Sequence, residues 1–257
     1  MTNSEPSLKQ STPKFIAHRG YATVYPENTL LALSQAFKEG VEYVEFDVQF
    51  TADGIPVLFH DTLLERTTGH EGNILNLTYS EVMQYQACET ARFGTTFANT
   101  GVGIPSLADA IYLLKNWPKS HAFVELKAES IEKFGIEKIV KTVIQVIQPA
   151  VSQCTLISYD ALAVRCARAM GAVSIGWVMK DWNIESQSKA TELAPDYLFC
   201  NHEKIPMDET TLWPGPWQWA LYEVEHAEVA AELHHMGASF IETMNVGKLI
   251  HDPSLGG

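Results

Sequence analysis

The chain of 257 residues is 46% hydrophobic and carries a formal net charge of −13 at pH 7, from 18 Lys and Arg against 31 Asp and Glu. That size and composition suit one large globular domain with a substantial core. The acidic balance argues against nucleic-acid binding and against docking on an anionic membrane, and it leaves any anionic substrate in need of a metal ion, Arg or Lys close by.

No run reaches the ~18 consecutive apolar residues of a membrane span, so no membrane anchor is expected. Residues 1–13 are polar, with no apolar centre, and read as a flexible N-terminal tail rather than a secretory leader. Residues 14–257 read as one domain. Cys88, Cys154, Cys166 and Cys200 show no CxxC spacing. They read as reduced, mostly buried thiols of a cytoplasmic protein, not as zinc ligands.

Short β-rich runs alternate with helical patterns along the chain. A first strand, Phe15–His18, precedes a helix over Thr29–Glu39. Two strands, Tyr43–Phe50 and Ile55–His60, flank the turn signal Thr51-Ala52-Asp53-Gly54. Helices follow at Tyr79–Tyr85 and Leu107–Asn116, then a strand at Ala122–Leu126 and a long helix at Ile131–Ile147. The remaining strands are Thr155–Ser158, Ser174–Met179, Tyr197–Cys200, Trp219–Val224 and Ser239–Glu242, separated by helices at Ala161–Met170, Glu185–Leu193 and Glu225–Met236. About eight strand–helix units predict an α/β (β/α)8 TIM barrel. Residues 62–104 are too long for an ordinary loop and read as a small inserted lobe over one barrel mouth, after the second strand and its hairpin.

The chemistry concentrates at strand ends, where a barrel places its site. His18 ends the first strand, as a site residue or simply a capping or surface histidine. Glu45 and Asp47 are two apart on one strand, so they share a face. Two adjacent carboxylates in a closed barrel repel unless a cation lies between them, and all-oxygen ligands favour Mg²⁺ or Ca²⁺. If Thr51–Gly54 closes an antiparallel hairpin, Phe50 faces Ile55, Glu45 lies opposite His60, and Asp47 opposite Leu58. Glu125 and Lys127 repeat the two-residue spacing, as a third oxygen ligand and a phosphate-neutralising cation, or as a mutual ion pair. Asn28 either caps the following helix or meets substrate, and Glu27 orients its neighbours. Trp213, Trp217 and Trp219 read as packing, and His226, His234, His235 and His251 as surface residues.

In order, His18-Arg19-Gly20, Pro26-Glu27-Asn28-Thr29, Glu45-x-Asp47, Asp53-Gly54, His60-Asp61, Arg66-Thr67-Thr68, Ile104-Pro105-Ser106-Leu107, Glu125-Leu126-Lys127 and Ser158-Tyr159 resemble the glycerophosphodiester phosphodiesterase family. The resemblance implies a barrel with a small inserted lobe and a divalent metal held at Glu45, Asp47 and Glu125. It implies His18 and His60 as the acid–base pair and Arg19 and Lys127 beside the phosphate. It implies hydrolysis of a small-molecule glycerophosphodiester to sn-glycerol 3-phosphate and an alcohol. The C-terminal third departs from the pattern. Where the family often has Trp-Thr-Val-Asn, this chain has Tyr222-Glu223-Val224-Glu225, and where Thr-Asp is common it has Thr243-Met244. Two other readings stay open. One is a lysophospholipase D-type phosphodiesterase, with Phe93, Phe97 and Trp217 lining an acyl groove. The other is a barrel that binds phosphodiesters without turning them over.

Overall fold

In the computed structural model, residues 12–255 are described, so all of the tail expected over 1–13 except Thr12 and Pro13 lies outside the described residues. The strands are β1 (Lys14–Ala17), β2 (Tyr43–Phe50), β3 (Pro56–Leu58), β4 (His121–Leu126), β5 (Cys154–Ser158), β6 (Ile175–Val178), β7 (Tyr197–Asn201), β8 (Gln218–Tyr222) and β9 (Phe240–Thr243). Their order is β1-β9-β8-β7-β6-β5-β4-β2-β3, and a further β1–β2 pairing closes the ring. All pairings are parallel except β3 on β2. The result is a closed barrel of eight parallel strands, with β3 an antiparallel addition to one end of β2.

Alternation along each strand divides the two sides of the barrel wall. Val44, Phe46 and Val48 of β2 pack outward into the large cluster shared with Leu33, Ala36 and Phe37 of the helix Leu30–Lys38. Fully burying a side chain such as Phe46 contributes roughly 1.5–3 kcal/mol. The intervening positions Tyr43, Glu45 and Asp47 belong to the barrel interior. There Ile16, Phe123, Ile157, Val178, Phe199, Ala220 and Phe240 form a second, smaller apolar cluster.

Three local features differ from the sequence reading. The helix expected over Ile131–Ile147 starts earlier and is broken, into Ala128–Phe134 and Ile136–Ile147. Gly135 at the break has φ +85°, a conformation that L side chains rarely adopt, and its N–H closes the first helix on Ile131 O. The hairpin is one residue out of the expected register: Val48 pairs with Leu58, Gln49 with Val57 and Phe50 with Pro56. Thr51 is the cause. Its hydroxyl accepts from Ile55 N at 3.0 Å and donates to Asp53 Oδ1 at 2.6 Å, which draws Ile55 into the turn. With one residue more in the turn, Val57 and Phe59 leave the face where the expected register put them. They join Leu64, Ile74, Leu75, Val82 and Ile104 in a third apolar cluster. Residues 62–104 carry the short helices Glu65–Thr68, Tyr79–Val82 and Thr90–Phe93, the second with a Thr78–Glu81 capping box. The helix expected over Tyr79–Tyr85 is therefore a single turn.

Candidate active site

The C-terminal strand ends of the barrel open into a cavity of about 350 Å³. Its lining includes His18, Arg19, Glu45, Asp47, His60, Glu125, Lys127 and Tyr222, all named from the sequence. Glu27 and Asn28 stand behind that wall.

The loop after β1 builds one side. His18 N donates to Thr243 O at 2.9 Å, which carries the strand pairing one residue past its end. Gly20 then turns the chain against the helix Leu30–Lys38, where an added Cβ would lie 2.7 Å from the Ala32 carbonyl carbon. Arg19 and Asn28 both take φ +56°, and Asn28 N donates to Arg19 O at 3.0 Å. Thr29, not Asn28, caps the helix, through its hydroxyl on Ala32 N. That frees the Asn28 carboxamide to bracket Asp47: Nδ2 donates to Oδ2 at 2.8 Å, and Asp47 N donates to Asn28 Oδ1 at 3.0 Å. Asn28 is thus neither a cap nor a cavity residue.

Asp47 is the most heavily partnered of the carboxylates that line the cavity. Lys127 Nζ donates to its Oδ1 at 3.1 Å, and Arg19 Nε lies 3.2 Å from Oδ2 without an aligned hydrogen bond. Burial alone would raise its pKa, but Lys127 and Arg19 overcome that and hold it below the ordinary carboxylate range. Lys127 also donates to Glu125 Oε1 at 2.9 Å, so the mutual ion pair considered from the sequence does form. Glu45 is poorly compensated: Oε2 accepts Arg19 N at 3.1 Å, and Oε1 is buried without a partner. Burial, followed by Asp47, Glu242 and Glu125, pushes its pKa well up. One oxygen each from Glu45, Asp47 and Glu125 fall within 4.8 Å of one another, close enough to share a cation. The all-oxygen set and the orphaned Glu45 oxygen fit a hard divalent ion.

The two histidines differ in support. His60 Nδ1 bonds Asp61 Oδ1 at 2.6 Å, and Asp61 Oδ2 accepts Arg66 Nε at 2.6 Å. Arg66 also donates to both oxygens of buried Glu27, at 2.9 and 2.7 Å, and Arg19 adds a third bond there at 3.0 Å. Arg66 therefore ties the His60 support to the Arg19 support. His60 lies beyond β3, where the chain has left the ladder, so it reaches the cavity despite the shifted register. Its carbonyl is held by Gln49 Nε2 at 3.1 Å. His18 sits deeper, with Nδ1 buried and unpartnered and Nε2 3.8 Å from Glu45 Oε2. Burial, then Arg19, lowers its pKa well below the ordinary imidazole value.

The ends of β8 and β9, the latter paired with β1, add a carboxylate that the sequence reading left unassigned. Glu242 is 3% exposed, and its Oε1 has no partner. The usable signal was a charge at the C-terminal end of an otherwise apolar strand, the same rule that singled out His18. Tyr222 and Tyr159 join through their hydroxyls at 2.7 Å. Glu223 takes φ +65° and lines the cavity, while Glu225 accepts from Thr243 Oγ1 and Met244 N. The departures at 223–225 and 244 thus couple the ends of β8 and β9. Phe93, Phe97 and Trp217 do not line the cavity. Phe93 and Phe97 pack on each other with ring centroids 5.1 Å apart, and Trp217 is buried in the outer core. Trp182 and Trp213 pack with centroids 3.9 Å apart beside Trp219.

Residues 18–183 match the glycerophosphoryl diester phosphodiesterase family. A glycerophosphodiester phosphodiesterase 1 from Bos taurus is 44% identical over 96 residues, 37% of this chain and 28% of the relative. A glycerophosphodiester phosphodiesterase from Bacillus altitudinis is 35% identical over 133 residues, 51% of this chain and 52% of the relative. This chain thus spans about a quarter to about half the length of those relatives. Among solved structures, a phosphodiesterase of Oleispira antarctica, in complex with its product sn-glycerol-3-phosphate, superposes with a TM-score of 0.82. It is 23% identical, over 96% of this chain and 98% of that one. A glycerophosphodiester phosphodiesterase from Parabacteroides distasonis gives 0.76 at 19% identity, over 94% and 98% of the two chains.

Proposed function

The chain belongs to the glycerophosphoryl diester phosphodiesterase family, and on that premise we propose that it hydrolyses glycerophosphodiesters to sn-glycerol 3-phosphate and an alcohol. The observation that carries this reading is one cavity lined by two histidines, two basic side chains and three carboxylates that can share a cation. The Oleispira protein, whose fold this chain shares, binds the same product.

Glu45, Asp47 and Glu125 would hold the ion, Mg²⁺ or Ca²⁺. When bound, the ion supplies Lewis-acid polarisation of a phosphoryl oxygen. Arg19 and Lys127 neutralise the charge that develops on the other phosphoryl oxygens; Glu27 holds Arg19 from behind the cavity wall, and Asp47 and Glu125 hold Lys127. Asp61 accepts the Nδ1 proton of His60, which leaves Nε2 as the basic nitrogen. His60 then removes the proton from the attacking hydroxyl or water as the O–P bond forms. His18 gives a proton to the leaving alkoxide as the second P–O bond breaks. Burial and Arg19 make protonated His18 scarce at neutral pH but a strong donor once formed.

No helix among the described residues is long and apolar enough to cross a membrane. We place the protein in the cytoplasm, as a single barrel domain over residues 14–257 with an inserted lobe over 62–104. Release of glycerol 3-phosphate from glycerophosphocholine is the direct test, run with chelator and again with Mg²⁺ or Ca²⁺ restored. Release that depends on the metal is expected. No release with either ion, from folded protein, rejects the reading.

A further inference from the structure

β9, β1 and β2 are neighbours in the barrel, with Ile16 paired to Glu242 and Ile16 to Tyr43. Their C-terminal ends bring Glu242, His18 and Glu45 together, each offering one ligand atom within 4.8 Å of the others. This cluster lies outside the Asp47–Glu125–Lys127 group. Lys127 bonds Asp47 and Glu125, and Arg19 pairs with Glu27 and Asp47. Among the described residues, no Lys or Arg side chain forms an ion pair with Glu45 or Glu242. Three atoms of the cluster, His18 Nδ1, Glu45 Oε1 and Glu242 Oε1, are buried with no hydrogen-bond partner. Glu45 is 2% exposed and Glu242 3%, and both line the cavity. Buried carboxylates left without a partner are costly, and a cation at their centre removes the cost.

We propose that His18, Glu45 and Glu242 form a second divalent-cation site. One imidazole and two carboxylates suit a borderline ion such as Zn²⁺, whereas the neighbouring all-oxygen set suits Mg²⁺ or Ca²⁺. The second position shares Glu45 with the first and stands whether or not the first supports hydrolysis. Filling it occupies the His18 nitrogen with metal and withdraws that group from proton transfer, so Zn²⁺ inhibits Mg²⁺-supported turnover.

The experiment is calorimetric titration of Zn²⁺ into the whole chain held in saturating Mg²⁺. One Zn²⁺ per chain is expected. Loss of a supporting group around a metal already costs about 10–100-fold in affinity, so loss of a ligand in Glu242→Gln or Glu242→Leu should weaken Zn²⁺ at least that much. Glu125→Gln should retain it. The two Glu242 variants, each shown by thermal melting to unfold cooperatively, guard against loss of fold: Gln keeps the size, and Leu removes the buried polar atom. Absence of Zn²⁺ binding overturns the proposal. So does unchanged binding in both Glu242 variants, or binding lost in Glu125→Gln but kept in them, which would put Zn²⁺ at the first position. Failure of the first site registers separately, as absence of Mg²⁺ binding in a titration without Zn²⁺.

Discussion

The floor and the mouth of the barrel interior are built by the same strands, two residues apart. β2 supplies Tyr43 to the floor and Glu45 and Asp47 to the mouth. β4 supplies His121 and Phe123 below and Glu125 above, and β9 supplies Phe240 and then Glu242. At the floor, rings interlock: Phe123 meets Tyr197, Phe199 and Phe240 with centroids 4.9, 5.2 and 6.0 Å apart. Lys14 lies over the Tyr43 and Phe240 rings from below. At the mouth, among the described residues, the four carboxylates Glu45, Asp47, Glu125 and Glu242 share the cavity with two Lys or Arg side chains, Arg19 and Lys127, and several polar atoms are unsatisfied. The floor holds the strands together, while the mouth stores the repulsion and desolvation that a charged ligand relieves.

That division predicts opposite signatures for the two layers. The largest effect is expected from Glu45→Ala, with a loss of about 10³-fold or more in metal-supported turnover. Its melting temperature in chelator should stay level or rise, because a carboxylate crowded by three others has gone. Near-native turnover that chelator still abolishes would remove Glu45 from the ion site. His60→Ala and His18→Ala should each lose about 10²–10⁴-fold in kcat on a natural diester. A glycerophosphodiester with a 4-nitrophenol leaving group separates them. Loss of the acid is largely rescued there and loss of the base is not, so rescue of His60→Ala instead of His18→Ala would exchange their roles.

A floor substitution should do the reverse. Phe123→Ala, at a fully buried position, should cost about 3–5 kcal/mol of stability by denaturant unfolding. The kcat per folded molecule should change only a few-fold. A large kcat loss at unchanged stability would show that floor and mouth are not separable. The smallest effect is the pH dependence of His121, whose imidazole burial pushes down to about 4. The unfolded chain takes up that proton near pH 6.5, so the folded state binds fewer protons between the two values. The contribution is complete above about pH 6.5, shrinks as the pH falls, and levels off near 4, roughly 3 kcal/mol in all. Unfolding titrations of wild type and His121→Gln at pH 7 and 4.5 would check it. A stability difference that does not change with pH removes His121 as the cause.

Much of the barrel and its mouth is legible in the residue pattern. Strand β2 has the bounds read from its alternation, because its outward face packs on apolar side chains and its inward face carries the carboxylates of the mouth, so the period shows in the residues themselves. The two-residue spacings of Glu45 with Asp47 and of Glu125 with Lys127 put each pair on one side of a strand, where the structure has them. The hairpin register is not legible, because it turns on which backbone groups the Thr51 hydroxyl satisfies. Nor is the destination of Asn28, since cap and carboxylate clamp need the same side chain and only the position of Thr29 relative to the helix decides between them.

Strand–helix alternation, the barrel and the placing of polar side chains such as His18, Glu45 and Asp47 at strand ends follow from the order of residues, because periodicity and side-chain type are local properties. Which charges meet is a matter of long-range packing. Glu242 joins His18 and Glu45 only because the last strand closes on the first. Arg66 links Glu27 to Asp61 only because the segment after β3 packs back against the loop that follows β1. Electrostatic partnership depends on distances of a few ångströms between residues far apart in the chain, and ring closure fixes those distances.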